Sequence, residues 1–170
     1  GLSSYDASIL TSDKAISDYF DSVIKSDSEL INSSKIISNW ISSELFSLLN
    51  NDNLDISKSP ISPTNLGKLI KLVITNVISG KIAKEVLIEM YSSKKNPIDI
   101  VEEKDLKQMT DSKEIENIIQ TILNDNEAMV IQYKSGKTKL LGFFVGLAMK
   151  KTKGKANPKL LNEILIKKLS

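Results

Sequence analysis

The chain has no cysteine, no histidine and no arginine among its 170 residues. Without thiol or imidazole there is no cysteine nucleophile, no Ser-His-Asp triad, no thiolate or imidazole zinc site and no disulfide. Only carboxylate, lysine and hydroxyl chemistry remains. Without arginine, all 23 basic residues are lysines. Lysine supplies the charge of a phosphate contact but lacks the planar fork for bidentate recognition, so a nucleic acid would be held mainly by point charges. Long apolar runs are also missing. Leu140 to Met149 is the longest and contains two glycines, well short of the roughly 20 residues that cross a bilayer. No membrane partner is expected. No methionine precedes Gly1, so the chain is expected to be a piece of a longer protein.

What is present is ordinary for a folded domain: 41% hydrophobic and 26% charged residues, with a net charge of +2. That small net charge conceals a split. Residues 1–133 carry 13 lysines against 20 acids, a balance of −7, whereas residues 134–170 carry ten lysines against the single acid Glu163, a balance of +9. A reversal of this size implies two modules, the second facing a polyanion.

Helical periodicity runs nearly from end to end. Ile16, Tyr19, Phe20, Val23 and Ile24 form one apolar stripe behind the polar start Thr11-Ser12-Asp13, and Ile36, Ile37, Trp40, Ile41, Leu45, Leu48 and Leu49 form another. Ser62-Pro63, Asn96-Pro97 and Asn157-Pro158 place a capping side chain before a proline suited to the first helical position. Asp111 with Glu114 approximates a capping box ahead of Ile115, Ile118, Ile119, Ile122 and Leu123. Val73-Ile74 and Ile98-Ile100 are the only strand-like fragments, and their flanks fit helix better. The fold is therefore expected to be all-α, with two small helical domains: a multi-helix bundle over residues 1–110 and a basic tail of about four short helices over 111–170.

The candidates for chemistry are few. The carboxylate pairs Glu102-Glu103, Glu114 with Glu116 and Asp18 with Asp21 lie on polar faces or in loops, without the desolvated cleft that acid–base work requires. Asp105 and Asp111 make no convincing magnesium site. Neither Ser79-Gly80-Lys81 nor Ser135-Gly136-Lys137 has the spacing of a nucleotide-cradling loop; the first reads as a helix break and restart. No catalytic or metal-binding residue is assigned.

The most informative stretch is Met149-Lys150-Lys151-Thr152-Lys153-Gly154-Lys155-Ala156-Asn157-Pro158-Lys159. Its lysines surround one glycine and lead directly into a helix N-terminus, so charge and helix dipole favour the same anion. Interleaved aromatics are lacking, which favours a folded or duplex nucleic acid over a single strand. Tyr133, Phe143, Phe144 and Trp40 are expected in the core.

The same residues carry a family resemblance. Gly142-Phe143-Phe144-Val145-Gly146, followed by the Met149–Leu160 run, resembles the C-terminal signature of the GatB family, the GatB subunits of the aspartyl/glutamyl-tRNA(Asn/Gln) amidotransferase. Three further stretches agree in order: Tyr5-Asp6-Ala7 with Leu10–Ala15 and Tyr19-Phe20; Asn39-Trp40 with Glu44-Leu45; and Ile78-Ser79-Gly80-Lys81-Ile82-Ala83-Lys84-Glu85-Val86. Leu147 departs from the glutamine often found in the family, and Thr75-Asn76 from a common Gly-Thr pair.

The resemblance implies a helical domain followed by a tail of the kind shared with stand-alone YqeY proteins, the two gripping the outer corner of a tRNA, with the tail near the D-loop. It implies tRNA contacts at Lys150, Lys151, Lys153, Lys155, Asn157 and Lys159, and more weakly at Lys137. ATP- and magnesium-dependent activation of mischarged Glu-tRNA(Gln) or Asp-tRNA(Asn) would belong to an N-terminal cradle absent here. GatA would supply ammonia and GatC would hold the complex together, so no cofactor and no catalysis are expected of this portion alone. The expected compartment is the bacterial cytoplasm, and an organellar version would look much the same. The alternatives are a stand-alone YqeY-like protein and a helical module that binds other proteins.

Overall fold

In the computed structural model, which describes Ser8 and residues 10–170, Asp13 opens the first regular helix by accepting the Ala15 amide at 2.7 Å. The Tyr5-Asp6-Ala7 part of the opening motif lies outside these residues. Among the described residues the chain is all-α, its only β feature being an isolated parallel bridge between Met109 and Ala156. Two compact units meet in sequence at Leu106 and Lys107.

The first unit contains α1 (Lys14–Lys25), α2 (Ser34–Asn39), α3 (Phe46–Asn51), α4 (Pro63–Ile74), α5 (Gly80–Ser93) and α6 (Pro97–Glu103), with short 3-10 turns at Ser28–Leu30 and Ile56–Lys58. The starts follow the caps read from sequence. Ser62 accepts the Asn65 amide, Ser79 the Ile82 amide and Asn96 the Ile98 amide, each satisfying an N–H that a helix start leaves unpaired. The restart at Ser79-Gly80 is thus a capped helix N-terminus.

Between α2 and α3 the helix continues without a break through a π-helical segment, Trp40–Leu45. The apolar pattern accounts for it. Ile37, Ile41, Leu45 and Leu49 recur at every fourth residue and are all buried. In an α-helix each step of four overshoots a full turn by about 40°, so four such residues would spread around the cylinder. Widening one turn cancels that drift and returns all four to the core. Trp40, 8% exposed, lies in this core with Val23, Leu30, Leu66, Leu69 and Ile70.

The second unit contains α7 (Ser112–Asn124), α8 (Glu127–Lys134), α9 (Leu140–Lys151) and α10 (Pro158–Leu169). Ile115, Ile119 and Ile122 on α7 meet Phe144 and Ala148 on α9 and Leu161, Leu165 and Leu169 on α10. Burying each large side chain contributes roughly 1.5–3 kcal/mol. The short α8 contributes only half-buried Met129, Val130 and Tyr133. Residues 107–110, expected at the end of the first domain, fall in the second unit because the bridge from Met109 to Ala156 ties them there.

Candidate nucleic-acid interface

The lysine-rich loop after α9 has a period of two. Thr152, Gly154 and Ala156 are buried, whereas Lys151 and Lys153 between them are exposed and Lys155 is half-buried. The Thr152 hydroxyl donates to the Ala148 carbonyl at 2.9 Å and accepts the Ala156 amide at 3.4 Å. Gly154, at φ +79°, turns its amide back to the Met149 carbonyl at 2.8 Å, closing the end of α9. The Met109 amide then donates to the Lys155 carbonyl at 2.8 Å, and the Asn157 amide to the Met109 carbonyl at 3.3 Å. The alternation Lys-Thr-Lys-Gly-Lys-Ala is thus one of outward charges and inward anchors. Thr152, which sequence reasoning passed over, is the pivot; its signal was a β-branched hydroxyl flanked by lysines.

Asn157 lies beside these lysines, with its side chain engaged in the fold. Its oxygen accepts the Lys159 and Leu160 amides at 3.0 and 3.1 Å, and its nitrogen donates to Gln108 Oε1 at 3.1 Å. Pro158 has no N–H, the next two amides are capped, and the Leu161 amide binds the Asn157 carbonyl, so the first turn of α10 offers no N–H to an anion. Only the helix dipole and the lysines remain to attract one.

Lys150, Lys151 and Lys153 are exposed together at the C-terminal end of α9, and Lys159 is exposed at the start of α10. Lys137 is not brought to them. It lies ahead of α9, about 17 Å away along the helix at 1.5 Å per residue, with its ammonium on Gln132 Oε1 at 3.0 Å. An open depression of about 410 Å³, lined by Ile122, Asp125, Asn126, Leu147, Lys150 and Lys151, adjoins the cluster.

The two units treat their lysines differently. In the first, Lys71 spans Asp27 at 2.7 Å and Glu29 at 3.1 Å, Lys84 meets Glu44 and Lys95 meets Glu103 at 2.7 Å each, and Lys104 pairs with Glu89. Lys14 pairs with Asp18 one helical turn on, and Lys25 with Asp21 one turn back. These exposed pairs add little stability, but they cancel charge. The Asp27 carboxyl is held below its ordinary pKa by hydrogen bonds from Lys71 and the Glu29 amide. Lys139, Lys150, Lys151 and Lys153 make no ion pair among the described residues, so their field reaches solvent.

Among the carboxylate pairs, Asp18, Asp21 and Glu103 thus belong to surface ion pairs. Among the described residues no three carboxylates converge on a possible metal position, and no helix is long and apolar enough to cross a membrane. One expectation is corrected: Phe143 does not join Phe144 in the core. Phe144 is fully buried, but Phe143 is 41% exposed.

Residues 18–169 match the family described as the GatB domain (GatB_Yqey). The chain is similar to proteins named as GatB-type subunits of the aspartyl/glutamyl-tRNA(Asn/Gln) amidotransferase. It is 50% identical to that of Pelagibacter ubique over 168 residues, covering 99% of this chain and 34% of the relative. It is 47% identical to that of Wolbachia pipientis subsp. Culex pipiens over 169 residues, covering 99% and 35%, and 46% identical to that of Nitrosococcus oceani, again covering 99% and 35%. The chain spans about a third of the length of the curated relatives it matches.

Proposed function

The chain belongs to the GatB domain family, and from that membership we propose that it is the tRNA-holding C-terminal portion of an amidotransferase GatB subunit. In this reading the second unit grips the outer corner of the tRNA on its D-loop side, and the helical first unit serves as the arm that carries it. The grip positions mischarged Glu-tRNA(Gln) or Asp-tRNA(Asn) while ATP- and magnesium-dependent activation and amidation take place in the rest of GatB and its complex with GatA and GatC. This portion then contributes binding and orientation, and the compartment is the one in which tRNA is charged, the bacterial cytoplasm.

One observation carries the reading: Lys150 and Lys151 at the end of α9 and Lys153 in the loop that follows are exposed and make no ion pair among the described residues, and Thr152, Gly154 and Ala156 fix the backbone of that loop. Lysines so placed suit phosphates, which fix position without reading sequence. Lys155 and Lys159 extend the same surface, Asn157 shapes it, and Lys137 is a separate contact at the far end of α9.

Filter binding of deacylated tRNA to the chain, across a range of salt, tests this. Replacing Lys150, Lys151 and Lys153 together with alanine is expected to weaken binding and lower the salt slope by up to about 0.9 per lysine lost. An unchanged slope would remove these lysines from the interface. Failure of the wild-type chain to retain tRNA at physiological salt would overturn the function itself.

A further inference from the structure

The lysines account for attraction to a polyanion but not for the exposed aromatic beside them. Lys139, Phe143, Gly146 and Lys150 follow one another at intervals of four, three and four, so they share one face of α9 within about 60°. All four are exposed. The Phe143 ring stands edge-on to Phe144 at a centroid distance of 5.4 Å and an interplanar angle of 69°. Since Phe144 is fully buried, the exposed ring rests on an anchored neighbour. Gly142 and Gly146 occupy the flank beside it, and a Cβ added to either would meet nothing within 4 Å. These glycines relieve no crowding within the fold; they leave a bare strip of backbone beside an aromatic face. Lys139 and Lys150 bracket the ring at about 16 Å from one another along the axis, and neither makes an ion pair among the described residues.

We propose that this face of α9 is an RNA-docking surface on which Phe143 stacks against an unpaired base of the tRNA, with Lys139 and Lys150 on the flanking phosphates. The proposal rests on the tRNA-holding reading above and adds to it a contact that is not a charge. Charge complementarity selects the occupant: residues 134–170 have one acid, Glu163, against ten lysines. An aromatic face braced between cations is how a protein holds a base without reading its identity.

The test uses the same chain and deacylated tRNA. Phe143→Ala is expected to weaken binding about tenfold and leave the salt slope unchanged, because no cation is lost; Phe143→Trp should bind as tightly as the wild type. Gly146→Leu, which places a side chain in open space on an intact helix, should crowd the strip and also weaken binding. The proposal is overturned if Phe143→Ala and Gly146→Leu both bind tRNA like the wild type. It is equally overturned if Phe143→Ala lowers the melting temperature while Gly146→Leu leaves tRNA binding intact, since the ring is then packing. Loss of self-association or of binding to an acidic protein, with tRNA affinity unchanged, also overturns it. A wild-type chain that does not bind tRNA sinks the function; a wild type that binds, with variants that match it, sinks this contact alone.

Discussion

The Asn157 side-chain nitrogen donates to Gln108 Oε1 at 3.1 Å, so two amides 49 positions apart join the entrance of the second unit to the start of its last helix. The other end of the same amide caps that helix. Asn157→Ala is expected to cost about 1 kcal/mol for the lost cap, seen as a lower thermal midpoint, with the salt slope for tRNA unchanged. Asn157→Asp keeps the capping oxygen and should keep most of the stability. An alanine variant as stable as the wild type would show that the cap contributes nothing.

Thr152→Val preserves shape but removes the hydroxyl between the Ala148 carbonyl and the Ala156 amide. The buried amide loses its acceptor, a loss worth about 1–2 kcal/mol. Amide hydrogen exchange at Ala156 should accelerate more than exchange in the middle of α7. Thr152→Ser, which retains the oxygen, should exchange more slowly than the valine variant.

Gly67 on α4 lies against Ser26, and an added Cβ would come within 2.2 Å of the Ser26 hydroxyl oxygen and 3.1 Å of Leu30 Cδ1. That hydroxyl donates to the Val23 carbonyl at 2.7 Å, so turning it away breaks a hydrogen bond. Gly67→Ala should therefore destabilise by about 1 kcal/mol, despite the comparable gain in helix propensity that alanine brings. Adding Ser26→Ala should recover most of the loss in urea titration. A double variant no better than Gly67→Ala alone would place the clash elsewhere.

The Tyr19 hydroxyl is buried and donates to the Ile61 carbonyl at 2.8 Å. Burial holds its proton well above the ordinary tyrosine pKa, with the Ser59 hydroxyl partly offsetting the rise. A raised folded-state pKa gives a stabilisation that is complete below the unfolded pKa of about 10 and declines as pH rises past it, because the unfolded chain then releases a proton that the folded chain keeps. Wild-type stability should fall above about pH 10, and Tyr19→Phe should show a smaller fall. At neutral pH that variant should lose only about 1 kcal/mol, since Ser59 also donates to the Ile61 carbonyl at 3.0 Å. Identical alkaline profiles for the two proteins would refute the assignment.

Much of this fold was legible in the sequence because its helix starts are written in local chemistry. Ser62-Pro63, Asn96-Pro97 and Asn157-Pro158 each cap the helix they announce. The π-helical turn was legible only in part: the four-residue recurrence of Ile37, Ile41, Leu45 and Leu49 was visible, but its conflict with the α-helical repeat requires following the drift. Phe143 was misplaced by treating two neighbours as one feature. Adjacent helical residues point about 100° apart, so a helix with one face inward buries Phe144 and turns Phe143 outward. The partnership of Gln108 with Asn157 had no local signal, because it depends on how the unit closes.

The alternation of anchors and lysines bears on the entropy of association. A flexible lysine loop would have to be ordered as it met an anion, at about 1–2 kcal/mol for each residue fixed. Here Thr152, Gly154 and Ala156 hold the backbone in the free chain, leaving only the side-chain rotamers of Lys151 and Lys153 to settle. The surface is preorganised, and loosening those three small residues would weaken anion binding with every positive charge still in place.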